Sequence, residues 1–186
     1  MTIRLAADLQ VDSIVDGEGI RTVIWTQGCP HNCQGCHNPL THSIDGGAEV
    51  ELDYIKEEID LLDGQDGITF SGGDPFLQPL ACSVLAKYAK TKGLNIWCYT
   101  GYTFEQLLEL SKVKIDILTF LKEIDVLVDG KFEIDKKSYS TTFRGSSNQR
   151  IIDVPNSLKN KQVVLVEKYD EEDGSCFYQK PVGVYI

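Results

Sequence analysis

Between residues 22 and 128, short apolar runs alternate with stretches of helical periodicity. That alternation predicts a set of parallel strands joined by right-handed crossovers. Thr22 to Trp25 reads as a buried strand. Leu52, Ile55, Ile59 and Leu62 recur at helical spacing and predict an amphipathic helix over 51–62. Ile68 to Phe70 is a strand stopped by Gly72-Gly73, and Leu77, Leu80, Val84 and Tyr88 mark a second helix ending near Gly93. Leu94 to Tyr99 is the next strand, and Phe104, Leu107 and Leu108 mark a third helix. A weaker helix over 113–123 and a strand from Val126 to Val128 complete the series. Past residue 132 the pattern turns more β-like, and from Glu167 onward no period is legible. There is no internal repeat and no low-complexity linker, so the expectation is one α/β domain, 1–186, with a mostly parallel sheet. Residues 151–186 form a C-terminal extension of uncertain structure.

Charge and cysteine usage narrow the function classes. The formal net charge is −10, which argues against duplex nucleic acid as a partner and against an anionic membrane surface. The first residues lack the apolar run of a signal peptide, and nothing later is long enough to span a bilayer. The expected location is therefore the cytoplasm. Disulfides are rare in such a reducing compartment, so clustered thiols among the six cysteines point to metal binding or chemistry.

The loops at 29–38, 71–75, 99–102 and 129–131 all follow predicted strands at their C-terminal ends, the edge where α/β sheets and barrels place ligands. The first reads Gly28-Cys29-Pro30-His31-Asn32-Cys33-Gln34-Gly35-Cys36-His37-Asn38. Three thiolates in a C-x3-C-x2-C spacing on one short loop can wrap one small metal object, and cysteine is the usual ligand of iron–sulfur clusters. Three ligands leave one iron of a cubane open, as chemistry requires. Zinc held by Cys29, Cys33 and Cys36 with His31 or His37 is the alternative at this point, because soft thiolates suit both metals. An electron-transfer cluster would call for a fourth cysteine near the triplet, and none is there.

The remaining loops are less specific. Ser71-Gly72-Gly73-Asp74-Pro75 lets a backbone approach a ligand closely, and Asp74 with nearby carbonyls could accept from a cationic amino group. Read alone, it is a tight βα turn. Gly17-Glu18-Gly19-Ile20-Arg21 precedes its strand and lacks the third glycine of a dinucleotide fingerprint. Tyr99-Thr100-Gly101 and Asp129-Gly130-Lys131 stand at later strand ends, where Lys131 could pair with a carboxylate. Cys82 and Cys98 read as packing thiols.

Taken in order, these segments resemble a known family. Val15 to Arg21, Gly28 to Cys36, Ser71 to Pro75, Trp97 to Tyr102, Val126 to Phe132 and Arg144 to Gln149 are similar to the activating proteins of anaerobic ribonucleoside-triphosphate reductases, within the radical S-adenosylmethionine (SAM) superfamily. The resemblance runs from about residue 9 to 152. It departs from the pattern at His37, where this subgroup tends to have tyrosine after the third cysteine.

The resemblance implies that Cys29, Cys33 and Cys36 ligate a 4Fe–4S cluster whose open iron is chelated by SAM. An external donor such as flavodoxin or ferredoxin would reduce the cluster. SAM is then cleaved to methionine and a 5′-deoxyadenosyl radical, which takes hydrogen from a glycine of the large reductase subunit. Ser71, Gly72, Gly73 and Asp74 would hold the amino-acid end of SAM. Gly35, Cys36 and His37 would line it from the cluster side, with Thr100, Asp129 and Lys131 as candidates for the far wall. Together with the chain length, the resemblance implies an incomplete (β/α) barrel open on one side to admit a glycine loop. An activase of another glycyl radical enzyme, of formate-lyase type, is the alternative within the class.

Overall fold

A computed structural model describes residues 1–169. It contains strands β1 (Thr2–Leu5), β2 (Gln10–Ser13), β3 (Arg21–Thr26), β4 (Ala48–Glu51), β5 (Gly67–Gly72), β6 (Asn95–Tyr99), β7 (Val126–Asp129) and β8 (Arg150–Asp153). The helices are α1 (Leu52–Asp60), α2 (Pro79–Thr91), α3 (Phe104–Ser111), α4 (Ile115–Leu121) and α5 (Val154–Asn160). All four strands and four helices expected between 22 and 128 are present, as β3, β5, β6 and β7 and as α1 to α4. The strands run in the order β4-β1-β3-β5-β6-β7-β8, with β2 also paired to β3.

The centre of this sheet is parallel and its flanks are not. β3, β5, β6 and β7 pair in parallel, as crossovers through helices require. β1 and β2 pair antiparallel with β3, β4 with β1, and β8 with β7. The extension expected after residue 150 therefore starts as a sheet strand, and Asp153 then caps α5 by accepting from the Asn156 N–H at 2.9 Å. Cys176 lies outside the described residues.

Side-chain alternation along the central strands divides the protein into two faces. Ile24, Ile68, Phe70, Ile96, Cys98, Leu127 and Ile152 pack with the apolar stripes of the helices in one core. Phe120 of α4 lies at its middle, fully buried, with its ring 5.3 Å from Phe70 and 5.0 Å from Phe76. Truncating such a side chain to alanine typically costs about 3–5 kcal/mol. Cys82 and Cys98 are buried here, and burial raises both thiol pKa values, in keeping with a packing role.

The opposite face carries a second, smaller cluster of Trp97, Val128, Ile151 and Tyr169. Arg21 is buried against it, 1% exposed, with its guanidinium 5.5 Å from the Trp97 ring centroid. It donates to Thr69 Oγ1 at 2.7 Å and to the carbonyls of Ile68, Asn95 and Glu18. Burial pulls its pKa down to about 10, so these acceptors are what keep a buried cation tolerable. The face without helices is thus stapled shut near the strands' N-terminal ends and stays open near their C-terminal ends.

Candidate functional site

Past Thr26 the chain leaves β3 and crosses the C-terminal edge of the sheet. Gly28, at φ +96°, makes the turn. The loop is then fixed from two sides by its backbone. The N–H groups of Gly28 and Cys29 donate to the carbonyls of Thr41 and His42 at 2.8 and 3.1 Å. From β5, the Gly73 N–H donates to Thr26 O at 2.7 Å and the Asp74 N–H to Gly28 O at 2.8 Å. A Cβ at Gly73 would stand 2.2 Å from Gly28 O. Glycine at 73 therefore lets the cysteine loop and the loop after β5 meet backbone to backbone.

Asp74 is the hub beneath this meeting. It is fully buried and accepts from the N–H groups of Phe76 and Gly101, each at 3.0 Å. The Thr100 hydroxyl donates to it at 2.9 Å, and His31 Nε2 lies 2.6 Å from Oδ2. Both carboxylate oxygens are thus engaged inside the protein. The Asp74 carboxylate is turned inward and ties three loops together. His31 packs edge-on against Tyr102, ring centroids 4.5 Å apart, and a Cβ at Gly101 would press within 2.4 Å of its ring.

The loops enclose a cleft of about 540 Å³. Cys29, Cys33, Cys36, His37, Ser71, Gly72, Gly73 and Thr100 all line it. The three thiols are free and partly exposed. Desolvation raises the pKa of Cys29 and Cys33, offset in part by backbone N–H groups of His31 and Phe132. The Asn38 N–H reaches Cys36 Sγ at 3.4 Å. Three soft thiols from one loop are a donor set that fits an iron–sulfur cluster. Among the described residues no group of three or more His, Cys, Asp or Glu is gathered for a single metal ion.

Three further predicted residues do not line the cleft. Gly35, at φ +74°, backs onto Ile134, where a Cβ would meet Cδ1 at 2.8 Å. Asp129 is buried and held by Arg150 Nε at 2.9 Å and the Phe104 N–H at 2.8 Å. Its carboxylate anchors α3 and β8. Lys131 is exposed beyond the cleft, with its charge acting on Cys33. In their place the structure brings in Phe132, Arg144, Gly145 and Gln149. The His37 and Phe132 ring centroids lie 5.1 Å apart, and a Cβ at Gly145 would sit 3.1 Å from the Phe132 ring and 3.2 Å from His37. The resemblance already covered Arg144 to Gln149, but no sequence periodicity brings that segment over the cleft.

Comparison with known proteins gives the family of the chain. Residues 15–152 match the model of the 4Fe-4S single cluster domain family. The anaerobic ribonucleoside-triphosphate reductase-activating protein of Pasteurella multocida is 38% identical over 149 residues, covering 74% of this chain and 90% of that protein. Its counterparts in Escherichia coli and phage T4 are 37% and 33% identical, covering 90% and 86% of their lengths. Among solved structures, QueE from Escherichia coli aligns at 15% identity with a TM-score of 0.46, over 55% of this chain and 54% of that one. Its likeness is too slight to add to the site. On the identity and coverage of its curated relatives, this chain belongs to the family of anaerobic ribonucleoside-triphosphate reductase-activating proteins.

Proposed function

We propose that the chain reductively cleaves SAM at a 4Fe–4S cluster held by Cys29, Cys33 and Cys36. It thereby generates a glycyl radical on the large subunit of an anaerobic ribonucleoside-triphosphate reductase. The observation that carries this reading is the convergence of three free thiols and the Ser71–Gly73 strand end on one cleft. When bound, the cluster supplies one electron to SAM, which parts into methionine and a 5′-deoxyadenosyl radical able to take a hydrogen atom from glycine.

The protein's own contribution is positioning. Gly73 brings the Ser71–Gly72 backbone against the cysteine loop, where its polar groups suit the amino-acid end of SAM. His37 and Phe132 form an aromatic wall beside the third cysteine. Thr100 and Asp74 hold the walls at a fixed separation. The helices pack on one face of the sheet, and the sheet path ends at β4 and β8. This arrangement fits an incomplete (β/α) barrel whose open side admits a loop of the reductase. An external carrier such as flavodoxin or ferredoxin would deliver the electron.

Anaerobic reconstitution, reduction with dithionite and addition of SAM should yield 5′-deoxyadenosine from the wild type and none from Cys33→Ala. With the reductase subunit present, a glycyl radical signal should appear in the electron paramagnetic resonance spectrum. A fully loaded, reduced wild-type protein that leaves SAM intact with the subunit present would sink the reading.

A further inference from the structure

Charge is unevenly placed along the chain. Residues 131–150 carry five cations and two acids, a net +3, within a chain of net charge −10. Arg150 is taken up by Glu105 and Asp129, and Lys136 pairs with Glu133 at 2.8 Å. Lys131 and Lys137 are exposed and have no carboxylate partner among the described residues. Against them stands one unpaired acid of the stretch, Asp135. Ile134 and Tyr139 add exposed apolar surface, with the Lys137 ammonium 4.9 Å from the Tyr139 ring centroid.

This surface lies on the back of the cysteine loop. The 3₁₀ turn Ile134–Lys136 covers the bend between Cys33 and Cys36, where a Cβ at Gly35 would meet Ile134 Cδ1 at 2.8 Å. Gly35, Ile134, Lys136 and Lys137 do not line the cleft. Val15 and Asp16 do line it, and they belong to a stretch of opposite sign. There Asp8, Asp12, Asp16 and Glu18 lie between Arg4 and Arg21 with no cation among them. Only Glu18 of the four forms an ion pair among the described residues, with Lys168. The target glycine has to enter the cleft. An electron needs no opening and can pass through the loop that holds the thiolates, so its carrier is free to dock behind that loop. An acidic carrier is drawn to the 131–137 surface and repelled by the acidic stretch.

We infer that the surface formed by Lys131, Ile134, Lys136 and Lys137 is the docking site of an acidic one-electron carrier protein. The inference rests on the cluster reading and gives the electron an entrance separate from that of the glycine. One electron leaves the carrier and one enters the cluster, with no bond made or broken. Encounters of this kind bury little area, depend on charge for their on-rate, and weaken as salt screens the charges.

The test compares Lys136→Glu/Lys137→Glu with Lys112→Glu/Lys114→Glu, which makes the same charge change on the exposed turn between α3 and α4. Flavodoxin, a carrier of this acidic kind, is the probe, with the cluster-loaded protein under anaerobic conditions. Flavodoxin-driven formation of 5′-deoxyadenosine at low salt should fall about tenfold or more in the first variant and stay near wild type in the second. Dithionite-driven formation should be unchanged in both. Flavodoxin binding, measured by calorimetry at low salt, should weaken in step, and the gap to wild type should narrow at about 0.5 M salt. Equal losses in the two variants would overturn the inference, since net charge alone would then account for them. A matching loss with dithionite would also overturn it, by placing the lysines in the site itself. So would weaker binding of the reductase subunit with flavodoxin binding intact, which would make the surface the reductase's. A loaded wild-type protein that leaves SAM intact with dithionite would instead remove the reading beneath it.

Discussion

His31 Nε2 lies 2.6 Å from Asp74 Oδ2, with both side chains almost entirely out of solvent. The pair joins the loop that carries the thiols to the loop that follows β5. His31→Ala leaves Asp74 still bonded to Thr100 and Gly101, so it should cost only about 1 kcal/mol. Asp74→Ala strands two N–H groups and a hydroxyl, and should cost about 3 kcal/mol or more. Urea denaturation of the metal-free protein measures both. Iron content after reconstitution should fall in both variants, and equal stability losses would contradict the hub role of Asp74.

Gly73→Ala probes the backbone meeting directly. The new Cβ would lie 2.2 Å from Gly28 O, a backbone atom that cannot rotate away. Overpacking of this kind costs about 1–3 kcal/mol. The displaced element is the cysteine loop, so iron retention should fall more steeply than the thermal midpoint. Full iron loading in this variant would show that the two loops need not touch.

The Glu105–Arg150–Asp129 network predicts a defined acid response. Arg150 donates to both Glu105 oxygens at 3.0 and 2.8 Å, and these bonds bring the Glu105 pKa down to about 2. A depressed acid stabilises the fold above its unfolded pKa of about 4.3 and loses that contribution as pH falls toward its folded value. Glu105 is more than half exposed, so the effect is modest. Between about pH 4.5 and pH 2, the urea midpoint of metal-free wild type should fall more than that of Glu105→Gln. Parallel curves would show that the pair adds nothing.

Thiol reactivity should divide the described cysteines into two groups. Cys29, Cys33 and Cys36 are partly exposed, whereas Cys82 and Cys98 are buried. In the metal-free protein, iodoacetamide should label the first group and spare the second until the chain unfolds. Because burial raises the pKa of Cys29 and Cys33, their labelling should be slow at neutral pH and quicken as pH rises past the usual thiol range. Mass spectrometry reads the outcome, and native-state labelling of Cys82 would contradict the packing described for α2.

The parallel centre was legible because each crossover helix carries an uninterrupted stripe, such as Leu52, Ile55 and Ile59 on α1. β1 was not read, although Ile3 and Leu5 alternate with polar neighbours, because four residues carry too weak a period. The thiols were legible from spacing alone. Asp74 was singled out, but its neighbours in the sequence give no sign that Thr100, Gly101 and His31 would converge on it. The partner of Asp129 was hidden for the same reason, since Arg150 lies 21 residues away.

The cysteine loop has almost no regular structure of its own and takes its shape from segments far downstream. His31 depends on Asp74 and, through it, on Gly101, 70 residues further along the chain. During synthesis the thiols leave the ribosome well before the residues that arrange them. The proposed cluster site is accordingly a late product of folding, and metal offered to the nascent chain would find three cysteines but no cradle.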